Sequence, residues 1–363
     1  MNVSDLDTPA IVIDLDIMER NLRRVADYAR DHDLRLRPHT KTHKIPALGR
    51  KQIDLGAAGL TVAKVGEAEV MLTANPPELL VAYPVVGRKK LERLLQLASK
   101  TNVTVSLDSL FVARQISDAA REAQQEVGIL AEVDVGLGRV GVPPSEVLAL
   151  VQGISRLPRL RYDGIAFYPG HIKMMDEEGH ETLQRAGQLV DNLLRDLREA
   201  GFPPKIVSGG STPALFYSHQ IPGLNEIRPG TYIFNDRNTV LCGSSTFDDC
   251  AASIHATVVS TAKTGQMIID GGSKTFSSDR PVVGAEVSFG HIVEAPQAVF
   301  TRMNEEHGYV DIRRAGRDFN VGERVRVIPN HICVAMNLHE CVYGARGGVV
   351  EQVWRVEGRG KLQ

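Results

Sequence analysis

Leu34-Arg35-Leu36-Arg37-Pro38-His39-Thr40-Lys41-Thr42-His43-Lys44 opens as an alternating apolar–basic run and closes in a knot of charge. Such alternation reads as a β-strand with one buried face, and Pro38 stiffens its exit. The stretch holds four cationic side chains and two imidazoles. A solvated basic loop is the plain explanation. The sharper one is an anion-binding site at a strand end, with one lysine held near a bound group. The flanking sequence has to decide between them.

Outward from this stretch, strand and helix patterns alternate. Strand patterns fall at 9–14, 34–40, 58–63, 79–83, 102–107, 129–134, 164–168, 205–208 and 225–228. Helical patterns fall between them at 88–99, 109–125, 144–154 and 177–200. Before the first of these crossovers, Asp16 followed by Glu19 resembles a capping box. Alternating β and α implies parallel strands joined by crossover helices. Eight such units in about 200 residues fit an α/β fold of the (β/α)8 TIM-barrel type better than an open doubly wound sheet, which stays the alternative. After about residue 240 the segments become short, β-rich and separated by Gly and Asp, which predicts a second, mainly β domain. The expected division is a barrel over 15–242 and a β domain over 1–14 and 243–363.

The chain has 363 residues, 43% of them hydrophobic and 24% charged, which suits a barrel plus a smaller module. A net charge of −2 gives no general pull toward nucleic acid or anionic membrane. No apolar run approaches the roughly 18 residues of a membrane span. Met1-Asn2-Val3-Ser4-Asp5 has no secretion-signal pattern. The four cysteines, Cys242, Cys250, Cys333 and Cys341, are too few for a disulfide scaffold. A cytoplasmic protein with reduced thiols is expected.

Reactive groups of a barrel cluster at the C-terminal strand ends. Lys41 falls there, as do the glycine-rich segment 132–141 with Arg139, Tyr168-Pro169-Gly170-His171, Ser208-Gly209-Gly210-Ser211-Thr212-Pro213, and Arg228-Pro229-Gly230-Thr231-Tyr232. Glycines let backbone N–H groups approach an anion, and a helix opening at Thr212 would add its dipole. A single Gly-Gly is more simply a tight turn. Two such turns on the last two strands match a common barrel phosphate site. Phosphate, lysine and tyrosine together suggest pyridoxal 5'-phosphate, with Lys41 as the Schiff-base amine, Tyr168 on the ring, and Arg139 and Arg228 on its polar atoms.

The stretch from Arg37 to Lys44 resembles the cofactor-lysine motif of the D-threonine aldolase and D-serine dehydratase family, fold-type III pyridoxal phosphate enzymes related to alanine racemase. The resemblance extends through Asp7-Thr8-Pro9, the segment 133–141, Ser208-Gly209-Gly210-Ser211-Thr212, Arg228-Pro229-Gly230-Thr231-Tyr232, Asp270-Gly271-Gly272-Ser273-Lys274, Glu306-His307-Gly308 and Pro329-Asn330-His331-Ile332-Cys333. It implies a barrel plus a β domain, a homodimer, and a small D-amino acid substrate. It assigns the Schiff base to Lys41 rather than Lys44; in an extended chain the two would point to opposite faces. Tyr168 matches the ring-contacting tyrosine. Ser208, Gly209, Gly210, Gly230, Thr231 and Tyr232 match the phosphate lining, with Ser211 in the same turn and His39 beside the lysine.

His331-Ile332-Cys333 is read as a strand, where residues two apart share a face and imidazole and thiolate converge. Alone, His-x-Cys is more simply two core residues. The resemblance makes it a divalent-metal pair: the family's aldolases tend to carry His-x-Asp and its dehydratases His-x-Cys. The soft thiolate favours zinc, with manganese as the alternative. The reaction implied is α-proton removal by Lys41, with the metal acting on a β-hydroxyl. Dehydration is favoured. Aldol cleavage needs a further base, for which His171 is the nearest candidate, although its spacing from Tyr168 departs from the family's pattern. An Arg228 of alanine-racemase type leaves a racemase as another alternative, and a non-catalytic cofactor-binding barrel as the last.

Overall fold

The computed structural model describes residues 1–284 and 287–363. The chain divides into two compact units. One comprises Arg24–Lys41, Pro46–Gly230 and Gly360–Gln363; the other comprises Met1–Arg23, Thr42–Ile45 and Thr231–Arg359. The second takes in residues 231–242, which the sequence reading places with the barrel.

In the first unit, eight parallel strands follow one another: Arg35–Leu36, Leu60–Val62, Glu78–Val81, Asn102–Leu107, Val127–Val133, Leu160–Phe167, Ile206–Gly209 and Glu226–Ile227. From Leu60–Val62 onward each pairs with the next in order, and the last pairs with the first, Leu36 opposite Ile227. The ring closes between Arg35–Leu36 and Leu60–Val62 by backbone bonds, Ala58 N–H to Leu36 at 2.8 Å and Thr61 N–H to Pro38 at 2.8 Å, with a bridge between His39 and Thr61. This is the (β/α)8 barrel. Helices Arg88–Ala98, Leu110–Glu122, Pro144–Ser155 and Glu177–Glu199 match the periodic segments closely. Their apolar faces, such as Leu91, Leu94 and Leu95, or Val190, Leu193, Leu194 and Leu197, are buried. Val127–Val133 is buried at every residue, as expected of a strand covered on both faces.

Helix Leu15–Asp31 starts before Asp16, and the cap is Asp14, whose Oδ1 accepts Ile17 N–H at 3.0 Å. No helix opens at Thr212. The next helical turn is a short 3-10 segment, Leu215–Gln220, because a residue before proline is steered out of the helical region. Among the described residues no helix is long and apolar enough to cross a membrane.

A line of polar side chains lies inside the barrel. Arg37, 1% exposed, pairs with Glu226, 0% exposed, at 2.9 Å, and with Glu78 at 2.5 Å. Glu226 accepts a bond from Ser208 Oγ at 2.7 Å. Buried ions stripped of their partner are costly, about 3–5 kcal/mol. Arg37→Met should therefore lower the urea midpoint of unfolding by that equivalent; an unchanged midpoint would show that the pair carries no stability.

Among the described residues, the second unit holds a nine-stranded sheet. Its main path runs Val299–Met303, Gly308–Asp311, Gln266–Ile269, Ala252–Ser260, Ala10–Asp14, Cys341–Arg346, Val349–Arg355. Arg324–Pro329 branches from Ala252–Ser260 and carries Gly290–Ile292. The N-terminal strand is central: Ile11 sits opposite Ile254 in an antiparallel pair, and Ile13 opposite Gly344 in a parallel one. Over most of Ala252–Ser260 buried and half-buried residues alternate, the period of a strand with one packed face.

Candidate active site

In the barrel unit, Lys41, His39, Arg139, Tyr168, His171, Ser208, Gly209, Gly210, Ser211, Arg228 and Gly230 all lie at or just beyond C-terminal strand ends. Lys41 sits in a 3-10 turn, Thr40–Thr42, not in an extended strand, and its side chain is exposed. Its backbone N–H points to His39 Nδ1 at 3.4 Å. Lys44 differs because its backbone turns left-handed at φ 56°. It is buried, and its Nζ donates to the Gly358 carbonyl at 3.3 Å. A buried amine bonded to a backbone carbonyl is structural, whereas an exposed one at a strand end can react.

Arg228 is held from below. One guanidinium nitrogen donates to Ser208 Oγ, the other to the Phe167 carbonyl at 3.2 Å. Burial pulls its pKa down; Glu132, Glu226 and Tyr168 act against that, and Arg37 adds to it. The guanidinium stays charged in any case. Ser208 thus has its one hydroxyl proton committed to Glu226, so its side chain is no donor to a phosphate. Ser211 is different: its Oγ is buried and has no partner. It follows Gly210, whose φ of 98° suits glycine. An orphaned hydroxyl beside a glycine turn fits a phosphate oxygen, so the barrel end has both the amine and the cradle that pyridoxal phosphate requires.

The glycine-rich loop between Val133 and Val142 closes on itself. Asp134 accepts N–H bonds from Gly136 and Gly138 at 2.9 and 3.1 Å, which lower its pKa. The loop carries Arg139, exposed, with its guanidinium 5.0 Å from the centre of the Tyr168 ring. His171 packs against Gly136, where φ is 122° and a Cβ would stand 3.2 Å from the imidazole. Burial holds the His171 pKa low, opposed by Asp134, and its Nδ1 is buried without a partner.

In the β unit, the strand expected for His331-Ile332-Cys333 is not there. His331 is the extended cap residue of a helix, Ile332–Leu338, and Cys333 lies in its first turn. Convergence survives by another route, since the Cys333 sulfur lies close enough to His331 to govern its charge. Negative charge on Cys333 and the bond to Asp236 outweigh burial and push the His331 pKa up to about 11. Cys333 Sγ lies 3.2 Å from Thr42 Oγ1 and 3.9 Å from Thr231 Oγ1. Those threonines directly follow Lys41 and Gly230 in the chain. Tyr232, also in this unit, is buried. Among the described residues no cluster of three or more His, Cys, Asp or Glu is arranged to hold a metal. A soft thiolate and an imidazole nonetheless fit a zinc-type cation with positions left open for other ligands.

Asp236 was not foreseen from the sequence. It is 0% exposed, and its Oδ2 meets His331 Nδ1 at 3.1 Å and Ile332 N–H at 3.0 Å. Its Oδ1 caps helix Arg237–Leu241 through Thr239 N–H at 2.9 Å. The capping role is legible locally; the reach to a histidine 95 residues on is not. A carboxylate behind a histidine ring fixes which nitrogen faces a cation. Asp236→Asn should weaken zinc affinity by about 10–100-fold in a competition titration; equal affinity would reduce Asp236 to a helix cap.

Comparison with known proteins agrees with this geometry. The family described as alanine racemase, N-terminal domain, matches residues 13–238, and the putative serine dehydratase domain matches 251–345. The D-threonine aldolase of Arthrobacter sp is 32% identical over 98% of this chain and 93% of its own. The chain belongs to the D-threonine aldolase and D-serine dehydratase family. It is a pyridoxal-phosphate-dependent lyase with an alanine racemase-like fold. The crystal structure of D-threonine aldolase from Filomicrobium marinum superposes with a TM-score of 0.93 at 32% identity, covering 99% of this chain and 98% of that one. D-threo-3-hydroxyaspartate dehydratase from Delftia sp. HT23 gives 0.89 at 30% identity, covering 98% of both. Structures of that dehydratase include a histidine-to-alanine variant and, substituted two positions further on, a cysteine-to-alanine variant in a metal-free form.

Proposed function

We propose that this lyase removes water and ammonia from D-3-hydroxy amino acids, using a divalent cation, zinc before manganese, held by His331 and Cys333. The observation that carries the reading is the imidazole–thiol pair with Asp236 behind it. The metal-free cysteine variant of the Delftia dehydratase supports it. When bound, pyridoxal phosphate supplies an electron sink for negative charge at Cα, and the cation supplies Lewis acidity toward a β-hydroxyl.

The chain's own residues do the remaining work. Lys41 Nζ takes the α-proton from its exposed position at the strand end. Ser211 and the backbone of the Gly209–Gly210 turn, continued by Gly230, Thr231 and Tyr232, hold the phosphate. Arg228, anchored by Ser208 and Phe167, presents a fixed positive charge to the ring, with Tyr168, Arg139 and His39 around it. Asp236 keeps the His331 ring turned so that its second nitrogen is directed to the Cys333 side, where the cation would be held. The working form is a homodimer in the cytoplasm.

Aldol cleavage is the second reading, favoured by His171. Its low pKa keeps the imidazole neutral near pH 7, and its unpartnered Nδ1 is free to accept a hydroxyl proton. D-serine separates the two. Pyruvate and ammonia, lost on chelation and restored by zinc, are expected. Glycine as the product would carry the aldol reading, and activity indifferent to chelation would remove the metal from the account.

A further inference from the structure

Lys41 leaves the barrel between two unlike neighbours. On one side of its strand, Arg35–Leu36, lies Glu226–Ile227 and then Ile206–Gly209, which carry Gly230 and Ser211. On the other lies Leu60–Val62, joined through the His39–Thr61 bridge. Lys64 leaves the mouth end of that strand, and Tyr83 leaves the same end of the next, Glu78–Val81.

Lys64 Nζ stands 3.4 Å from the centre of the Tyr83 ring. The turn beneath it is fixed by Glu67, buried, whose Oε2 accepts Ala63 N–H at 2.7 Å. Lys64 is half-buried, and among the described residues no carboxylate pairs with it. A ring face steadies an ammonium without neutralising it. Tyr83 is 48% exposed, so the pair faces the open end of the barrel and not the core. Neighbouring strands lie about 4.8 Å apart, so a small amino acid held beside Lys41 reaches the end of the Lys64 strand. Lys64 is on the flank away from the phosphate cradle, so the charge it offers is left for the substrate.

The geometry points to Lys64, steadied by Tyr83, as the residue that reads a second carboxylate, on the substrate's side chain. D-3-hydroxy amino acids bearing that carboxylate are then preferred to D-threonine and D-serine. The inference rests on the lyase reading above.

The test compares holoenzyme, Lys64→Met and Lys64→Arg on D-3-hydroxyaspartate and D-threonine. Alongside, it measures binding of D-aspartate and D-alanine, which lack the β-hydroxyl, through the cofactor absorbance. The wild type should favour the diacid. Lys64→Met should lower the diacid-to-threonine ratio of kcat/KM by roughly 10- to 100-fold, chiefly through KM, the scale of one charge-assisted contact. D-aspartate binding should weaken relative to D-alanine by the same factor, with partial recovery in Lys64→Arg. Equal losses on both substrates would place Lys64 on the α-carboxylate or in the fold, and would overturn the inference, as would an unchanged ratio. If the wild type turns over neither substrate, the lyase reading is what fails, and the D-aspartate to D-alanine ratio still decides the role of Lys64.

Discussion

Lys41→Ala should abolish covalent attachment of the cofactor and lower kcat/KM by at least about 10⁴-fold, the upper range for loss of a positioned acid–base group. The loss is expected to be this large because no neighbouring amine can replace it. Lys44 is buried and committed to the Gly358 carbonyl. Lys64 is stacked on Tyr83 at the end of another strand. Borohydride reduction followed by peptide mapping should place the fixed cofactor on Lys41 alone. A label on Lys44, or a Lys41→Ala protein that keeps its activity, would remove the central residue of the mechanism. Lys44→Met gives the matching control: its cost should appear in stability, since it removes a buried donor, while the label stays on Lys41.

The second large effect concerns the cation. His331→Ala should lower the rate by about 10²–10⁴-fold, since Lewis-acid assistance supplies several kcal/mol and each 1.36 kcal/mol is tenfold. Zinc content should fall in parallel. Cys333→Asp should behave differently. It keeps an anionic ligand but replaces soft sulfur with hard oxygen, so the metal preference moves from zinc toward manganese. Thr42 and Thr231, which touch Cys333 Sγ, remain as hydrogen-bond partners for the new carboxylate. Full activity in His331→Ala, or an unchanged metal preference in Cys333→Asp, would make the pair ordinary packing.

Much of this was legible in the sequence where one residue's neighbours carry the signal. Helices such as Arg88–Ala98 and Glu177–Glu199 are written in a 3.6-residue period, and their observed limits fall within a residue of those expected. The first barrel strand is harder. The alternation predicts an extended run over 34–40, but the ladder proper is only Arg35–Leu36. Pro38 has no N–H to give, and pairing continues beyond it as single bonds, Arg37 N–H to Ile227 and His39 N–H to Pro229, both at 2.9 Å. Three residues, His331-Ile332-Cys333, cannot by themselves distinguish an extended pair from a helix start. What sequence could not show at all is contact across long separations. Arg37 meets Glu226 189 residues away, and Glu226 fixes the hydroxyl of Ser208, so a serine expected at a phosphate instead supports Arg228. The serine that is free, Ser211, stands three positions later.

The most direct measurement is the product of D-threonine, identified by NMR with pyridoxal phosphate and zinc supplied. The account predicts 2-oxobutyrate and ammonia. Glycine and acetaldehyde would turn the chemistry to aldol cleavage at His171. L-allo-threonine would contradict the account, as would the absence of any product from D-threonine and D-3-hydroxyaspartate alike.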